Sequence, residues 1–219
     1  MIIFATKKLR MSSNLLKQFG NVPVSSATLN DILGGYSSPA MKVQLAEKNG
    51  ELISLKRGLY MVSPEDTGKN ISLGLVANHI YGPSYVSLEY ALRHYGLIPE
   101  AVYTVTSVTT RHTRTFENSL GRFSYRCVSA DWFPIGVTTE VENGVRYMIA
   151  TPEKALCDTL LHLNGLPLRS ISGLEVALEE DLRIDIDEIR GFDAKIIRDC
   201  AACGIKSTLF ANLLKIIER

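Results

Sequence analysis

A chain of 219 residues has room for one small and one medium domain, and its 46% hydrophobic and 21% charged residues supply a core without the charge excess of disorder. No run approaches the roughly 20 apolar residues that cross a bilayer. The start, MIIFATKKLRMSSN, lacks the long apolar stretch of a signal peptide, so a cytoplasmic protein without membrane contact is expected.

The net charge of +1 is unevenly spread: residues 1–63 hold eight basic and three acidic side chains, and the remainder holds 16 and 20. Such a split implies a basic module that meets a polyanion, followed by a near-neutral module with another partner.

The basic segment reads as three short helices and a hairpin. Leu15, Leu16 and Phe19 fall at helical spacing, with Ser12 or Ser13 as N-cap and Gly20 as the stop. A second helix starts near Ser25 or Ser26, presents Leu29, Ile32 and Leu33, and ends before Gly34-Gly35. The third opens with Ser38 as N-cap and Pro39 at N1, turns Val43 and Ala46 inward, and stops at Gly50. ELISLKRGLYMVS then predicts two strands around a tight basic turn, Lys56-Arg57-Gly58.

That layout is a winged helix-turn-helix, whose recognition helix fits the major groove while basic hairpin residues reach the neighbouring backbone. The candidate DNA-binding residues are Ser38, Met41, Lys42, Gln44 and Lys48 on the third helix, with Lys56 and Arg57 at the turn. A polar, turn-rich stretch from Ser63 to Gly68 marks the expected boundary between a domain of residues 1–63 and one of residues 64–219.

The second segment begins with a helical run from about Ile71 to Tyr81. SLEYALRHYG predicts a helix capped by Ser87 and stopped at Gly96. The middle is β-rich: AVYTVTSVTT, GRFSYRCVSA, and GVTTEVENGVRYMIA with an Asn143-Gly144 hairpin turn, so a central antiparallel β region is expected. Thr151-Pro152-Glu153 opens a helix through about Leu163. From residue 168 onward the pattern is helical, ending in an amphipathic helix with Leu209, Phe210, Leu213, Leu214 and Ile217 on one side. Between 180 and 190 the alternation of Leu182, Ile184 and Ile186 leaves helix and strand open. The expected class is therefore α+β, with C-terminal helices.

Catalytic signatures are missing: there is no phosphate-cradling loop, no dinucleotide fingerprint, no H-E-x-x-H and no nucleophile elbow. His79, His94, His112 and His162 are scattered and read as surface or packing residues. Cys127, Cys157, Cys200 and Cys203 read as reduced, buried thiols, and the lone C-x-x-C lacks the two further ligands a zinc site needs. No metal or other cofactor and no catalytic residue is expected. Glu153 and Asp158 are not on one helical stripe, and Lys154 with Asp158 at i,i+4 reads as an ordinary surface pair. Arg111, Arg114, Arg122 and Arg126 form a possible second basic surface, for nucleic acid or an acidic partner.

Pro39-x-x-Lys42-Val43, running into Asn49-Gly50-Glu51-Leu52-Ile53 and Lys56-Arg57-Gly58-Leu59-Tyr60, resembles the end of the winged helix in AbiEi-type antitoxins. PSYVSLEYALRHYGLIPE, TVTSVTTRHTRTFENSLGRFSYR and TPEKALCDTLLHL resemble that family's antitoxin domain in the same order, so the similarity spans roughly residues 38–163. The resemblance implies the antitoxin of a type IV toxin-antitoxin (abortive infection) system. Such a protein counteracts a nucleotidyltransferase-like toxin and represses the shared operon by binding double-stranded promoter DNA. Two alternatives differ in class: a plain winged-helix regulator whose second domain senses a ligand or dimerises, and an enzyme that uses the Arg111 to Arg126 region.

Overall fold

The computed structural model describes residues 15–164 and 170–219; the expected caps Ser12 and Ser13 and the start of the C-terminal tail lie outside them. A helical turn at residues 15–17 leads into β1 (Val24–Ser25), α1 (Ser26–Ile32), α2 (Pro39–Lys48), β2 (Leu52–Lys56) and β3 (Leu59–Val62). The strands form an antiparallel sheet in the order β1-β3-β2. Ser25 caps α1 by accepting a hydrogen bond from the Thr28 amide at 3.1 Å. Leu16, Leu29, Val43 and Ala46 close with Leu52 and Val62 into a small core.

The hairpin serves two cores at once. Leu52 and Val62 face the small one, whereas Leu55 and Met61, 1% and 0% exposed, insert into the larger core that follows. Three polar ties run alongside: Lys56 Nζ donates to the Ile80 carbonyl, Asn118 Nδ2 to the Leu55 carbonyl, and buried Asn21 to the carbonyls of Asn70 and Asn143.

After the Ser63–Gly68 stretch, which forms a short helix α3 (Pro64–Thr67), come α4 (Leu73–Ile80), β4 (Ser84–Val86) and α5 (Leu88–His94). The strands β5 (Thr104–Thr109), β6 (Arg114–Asn118), β7 (Gly121–Cys127), β8 (Val137–Glu142) and β9 (Val145–Ala150) follow. α4 lies so close on the sheet that a Cβ on Gly74 would stand 2.4 Å from the Tyr147 ring, which only glycine avoids. Asn143 and Gly144 both take positive φ, 52° and 79°, so the predicted two-residue hairpin turn between β8 and β9 is present.

The β region is mixed rather than antiparallel. Its order is β6-β7-β5-β4-β9-β8, with β5 parallel to β7 and β4 parallel to β9. The reason is topological: the chain leaves β5, runs back along β6 on the outside, and inserts β7 between them in the direction of β5.

The rest is helical: α6 (Pro152–His162), α7 (Ile171–Val176) with a π-helical turn at Ala177–Asp181, α8 (Ile186–Ile189), α9 (Ala194–Ala202) and α10 (Ser207–Ile217). The ambiguous stretch from 180 to 190 therefore contains no strand; Ile184 is buried between two short helical pieces. Thr151 caps α6 and Pro152 opens it, as the sequence predicts. Ser87 does not cap α5: its hydroxyl is drawn away to Asp158.

Candidate nucleic-acid interface

α2 has two unlike faces. Val43 and Ala46, 5% and 7% exposed, pack inward, while Met41, Gln44, Leu45 and Lys48 stand on the outside at helical spacings of three and four. Met41 is 69% and Leu45 45% exposed, so this outer stripe carries hydrocarbon that none of the described residues covers. Lys42 flanks the stripe with its ammonium 5.0 Å from the centre of the Tyr36 ring. Ser38 stands at the N-cap position, but its hydroxyl makes no capping hydrogen bond.

The two basic residues of the hairpin turn part company. Arg57 is exposed at the tip, which folds back so that the Gly58 carbonyl accepts from the Ser26 amide at 2.9 Å. Lys56 is half-buried, and its ammonium sits on the Ile80 carbonyl at the C-terminal end of α4, a favourable place for a cation. Burial, and then Arg111 and Arg114 nearby, hold its pKa below the ordinary lysine value. The expectation of an exposed Lys56 is therefore corrected: it braces the hairpin against the larger sheet.

The four arginines of the second basic group do not share a face. Arg114 opposes Tyr125 across β6 and β7, so it lies on the side of Phe116, Phe123 and Tyr125. Arg122 and Arg126 alternate with Phe123 and Tyr125 along β7 and project from the opposite side. Arg111 stacks over Tyr81, 5.7 Å from its centre, and Arg114 over Phe116 at 4.9 Å, on an aromatic cluster completed by Tyr125. Arg111 and Arg114 thus join Lys56 rather than Arg122 and Arg126.

Lys154 and Asp158 are not a surface pair. Both side chains are 0% exposed, 3.2 Å apart. Asp158 also accepts from Trp132 Nε1 at 2.6 Å, Ser87 Oγ at 2.6 Å and Tyr85 OH at 3.0 Å, while Lys154 donates to the Trp132 carbonyl at 2.9 Å and lies over the indole. Burial, then the Asp158 charge, push the Tyr85 hydroxyl pKa far up, so it remains a donor. Gly136 makes room: its φ is +58°, and a Cβ there would meet Lys154 Cβ at 2.8 Å. Glu153 plays no part; its carboxylate accepts from the Asp193 amide ahead of α9.

Residues 154–160 are all buried. A signal for this was present in KALCDTLL, where Lys154 and Asp158 are the only charges in a stretch apolar on every face, as in a buried helix. With no solvent access, the network is structural rather than a place for a substrate.

The remaining candidates scatter. Cys157 and Cys200 are buried and adjacent, with the Cys157 thiol pushed well up by burial and then by Cys200; Cys203 is half-buried, and Cys127 is exposed, contrary to expectation. His79, His94 and His112 are exposed, whereas His162 is half-buried with Nε2 unpaired among the described residues. Among those residues no cluster of three metal-ligating side chains occurs, and no helix is long and apolar enough to cross a membrane. No protein-family model matches the chain, and no curated protein matches it.

Proposed function

We propose that the chain is an antitoxin and transcriptional repressor of the AbiEi type: residues 1–63 bind promoter DNA as a winged helix, and residues 64–219 counteract a nucleotidyltransferase-like toxin. The observation that carries the DNA half is the arrangement around α2. Helical turn, β1, α1, α2, β2 and β3 follow one another with the sheet order β1-β3-β2, as in a winged helix, and among the described residues the outer face of α2 is left uncovered. Lys42 and Lys48 line that face and Arg57 stands exposed at the hairpin tip, three phosphate contacts in the segment of residues 1–63 that holds the basic excess. Lys56 acts behind them as a brace.

The antitoxin half rests on the resemblance of residues 83–163. Its most distinctive motif, TPEKALCD, supplies the buried Lys154–Asp158 network, so the motif is read as the scaffold of this half and not as its contact surface. The reading is non-catalytic, with no cofactor assigned.

The test uses the full chain, because Leu55 and Met61 are part of the larger core and a fragment starting at residue 64 would lack them. A Lys42→Ala/Lys48→Ala/Arg57→Ala variant is expected to derepress a reporter placed behind the promoter of its own operon, yet still protect cells expressing the neighbouring toxin gene. Loss of both activities in a folded variant would contradict the division of labour. A wild-type chain that represses but never protects is a plain regulator.

A further inference from the structure

We infer that the outer stripe of α2 is a reader of A·T base pairs, in which Gln44 takes the major-groove edge of adenine while Met41 and Leu45 pack on thymine methyl groups. This inference rests on the DNA-binding reading above and narrows it to a class of operator sequence.

The stripe has the composition of a reader, not of a solvated helix face. A helix that needed only solubility would place charged side chains at positions 41, 44, 45 and 48; here two of the four are large apolar groups, 69% and 45% exposed. In chain order the stripe offers a thioether chain, a carboxamide, an isobutyl group and an ammonium. An extended amide is the side chain whose donor and acceptor match adenine N7 and N6 together, and the thymine C5 methyl is the one apolar feature of the major groove. From Met41 to Lys48 the rise is about 10 Å, or about three base-pair steps. Lys48 at the far end reaches a guanine edge or a phosphate.

Charge selects DNA over a second copy of the chain as the occupant. Ser37, Ser38, Met41, Lys42, Gln44, Leu45 and Lys48 line one shallow pocket that holds two cations and no carboxylate. Glu47, the acidic residue of this helix, lines a different cleft, with Arg57, Glu117 and Asn118. A twofold contact through the stripe would bring four ammonium groups onto a face whose pocket holds no carboxylate to receive them, and four side chains fall short of the roughly 800 Å² per partner of a stable interface.

The experiment selects duplexes from a randomised pool with the full wild-type chain, then replaces thymine by uracil and adenine by 7-deazaadenine in the winning sequence. Enrichment of adjacent adenine and thymine is expected, with a loss of about three-fold for each contacted methyl removed and roughly ten-fold for the contacted adenine N7. Gln44→Ala is expected to lose the adenine preference alone, and Met41→Ala/Leu45→Ala the response to uracil. Salt-dependent binding with no base preference, or analogues that bind as well as the natural bases, would overturn the reader while leaving a DNA-binding protein. A Met41→Ala/Leu45→Ala variant that keeps the preference but breaks a dimer in light scattering would give the stripe to a second copy. No binding to any duplex would remove the reading beneath it.

Discussion

Helix α6 buries a lysine and an aspartate completely, while helix α2 leaves a methionine 69% and a leucine 45% exposed. The two departures from the usual pattern mean different things. A buried carboxylate carries a large desolvation cost, which is offset only when its lone pairs are saturated; Asp158 accepts from Trp132, Ser87, Tyr85 and Lys154. Such a network contributes to a single, well-defined core. The outer stripe of α2 adds little to the fold, and in the reading proposed above its hydrocarbon meets DNA.

Breaking the α6 side of this contrast has the largest expected effect. Asp158→Ala leaves the Lys154 ammonium buried and unpaired, at a cost of about 3–5 kcal/mol, a fall in Tm on the order of 10 °C for a chain of this size. Lys154→Met/Asp158→Leu removes both charges and is expected to lose less than Asp158→Ala alone. A double variant whose loss equals the losses of Lys154→Met and Asp158→Leu added together would show that the groups are not coupled.

A smaller change is expected at the brace between the two cores. Lys56→Met removes the hydrogen bond to the Ile80 carbonyl and lowers stability by about 1–2 kcal/mol, with promoter affinity unchanged when binding is measured below the lowered Tm. Loss of affinity without loss of stability would return Lys56 to the DNA surface.

Smaller again is a pH effect at His162. Burial, outweighing the attraction of Asp158, holds its folded-state pKa below the ordinary 6.5, so the unfolded chain takes up the proton first. Stability contributed by the neutral ring is full above that value and is lost as pH falls below it. Thermal melts from neutral to mildly acid pH are expected to show a few degrees more loss in the wild type than in His162→Gln; parallel curves would show that the ring is solvated.

The smallest effect serves as the internal control. Lys195 and Asp199 are also lysine and aspartate at i,i+4, 3.0 Å apart, but 75% and 47% exposed. Asp199→Ala is expected to change stability by less than about 0.5 kcal/mol; denaturant melts beside those of Asp158→Ala check it.

That pair of pairs also shows what could be read from the residues and what could not. Spacing is identical in α6 and α9, and spacing alone assigned Lys154 and Asp158 to the surface, where only the pair in α9 lies; the hydrocarbon around KALCDTLL is what separates them. Capping and turn chemistry read well where a single local rule decides the outcome, as at Thr151-Pro152 and Asn143-Gly144. It failed at Ser87, where a buried carboxylate 71 positions away outcompetes the local amide for the hydroxyl. The parallel pairings of β5 with β7 and β4 with β9 leave no trace in alternation, because β-prone segments look alike whichever neighbour they acquire. At the candidate interface, the inward turn of Val43 and Ala46 and the outward place of Lys48 followed from helical periodicity, whereas the exposure of Leu45 did not. The separation of Lys56 from Arg57, and of Arg114 from Arg122, depends on strand register and on contacts between elements distant in the chain.

The central claim is that the outer face of α2 with the hairpin tip holds DNA while the α6 network only holds the fold. Its most direct test is an anisotropy titration of the full chain on its own promoter duplex across a salt series, with Tm measured on the same samples. The wild type is expected to lose affinity steeply with salt, and Lys42→Ala/Lys48→Ala/Arg57→Ala to bind weakly with a slope shallower by about one unit per lost contact, at unchanged Tm. Wild-type affinity and slope in a fully folded triple variant would contradict the claim.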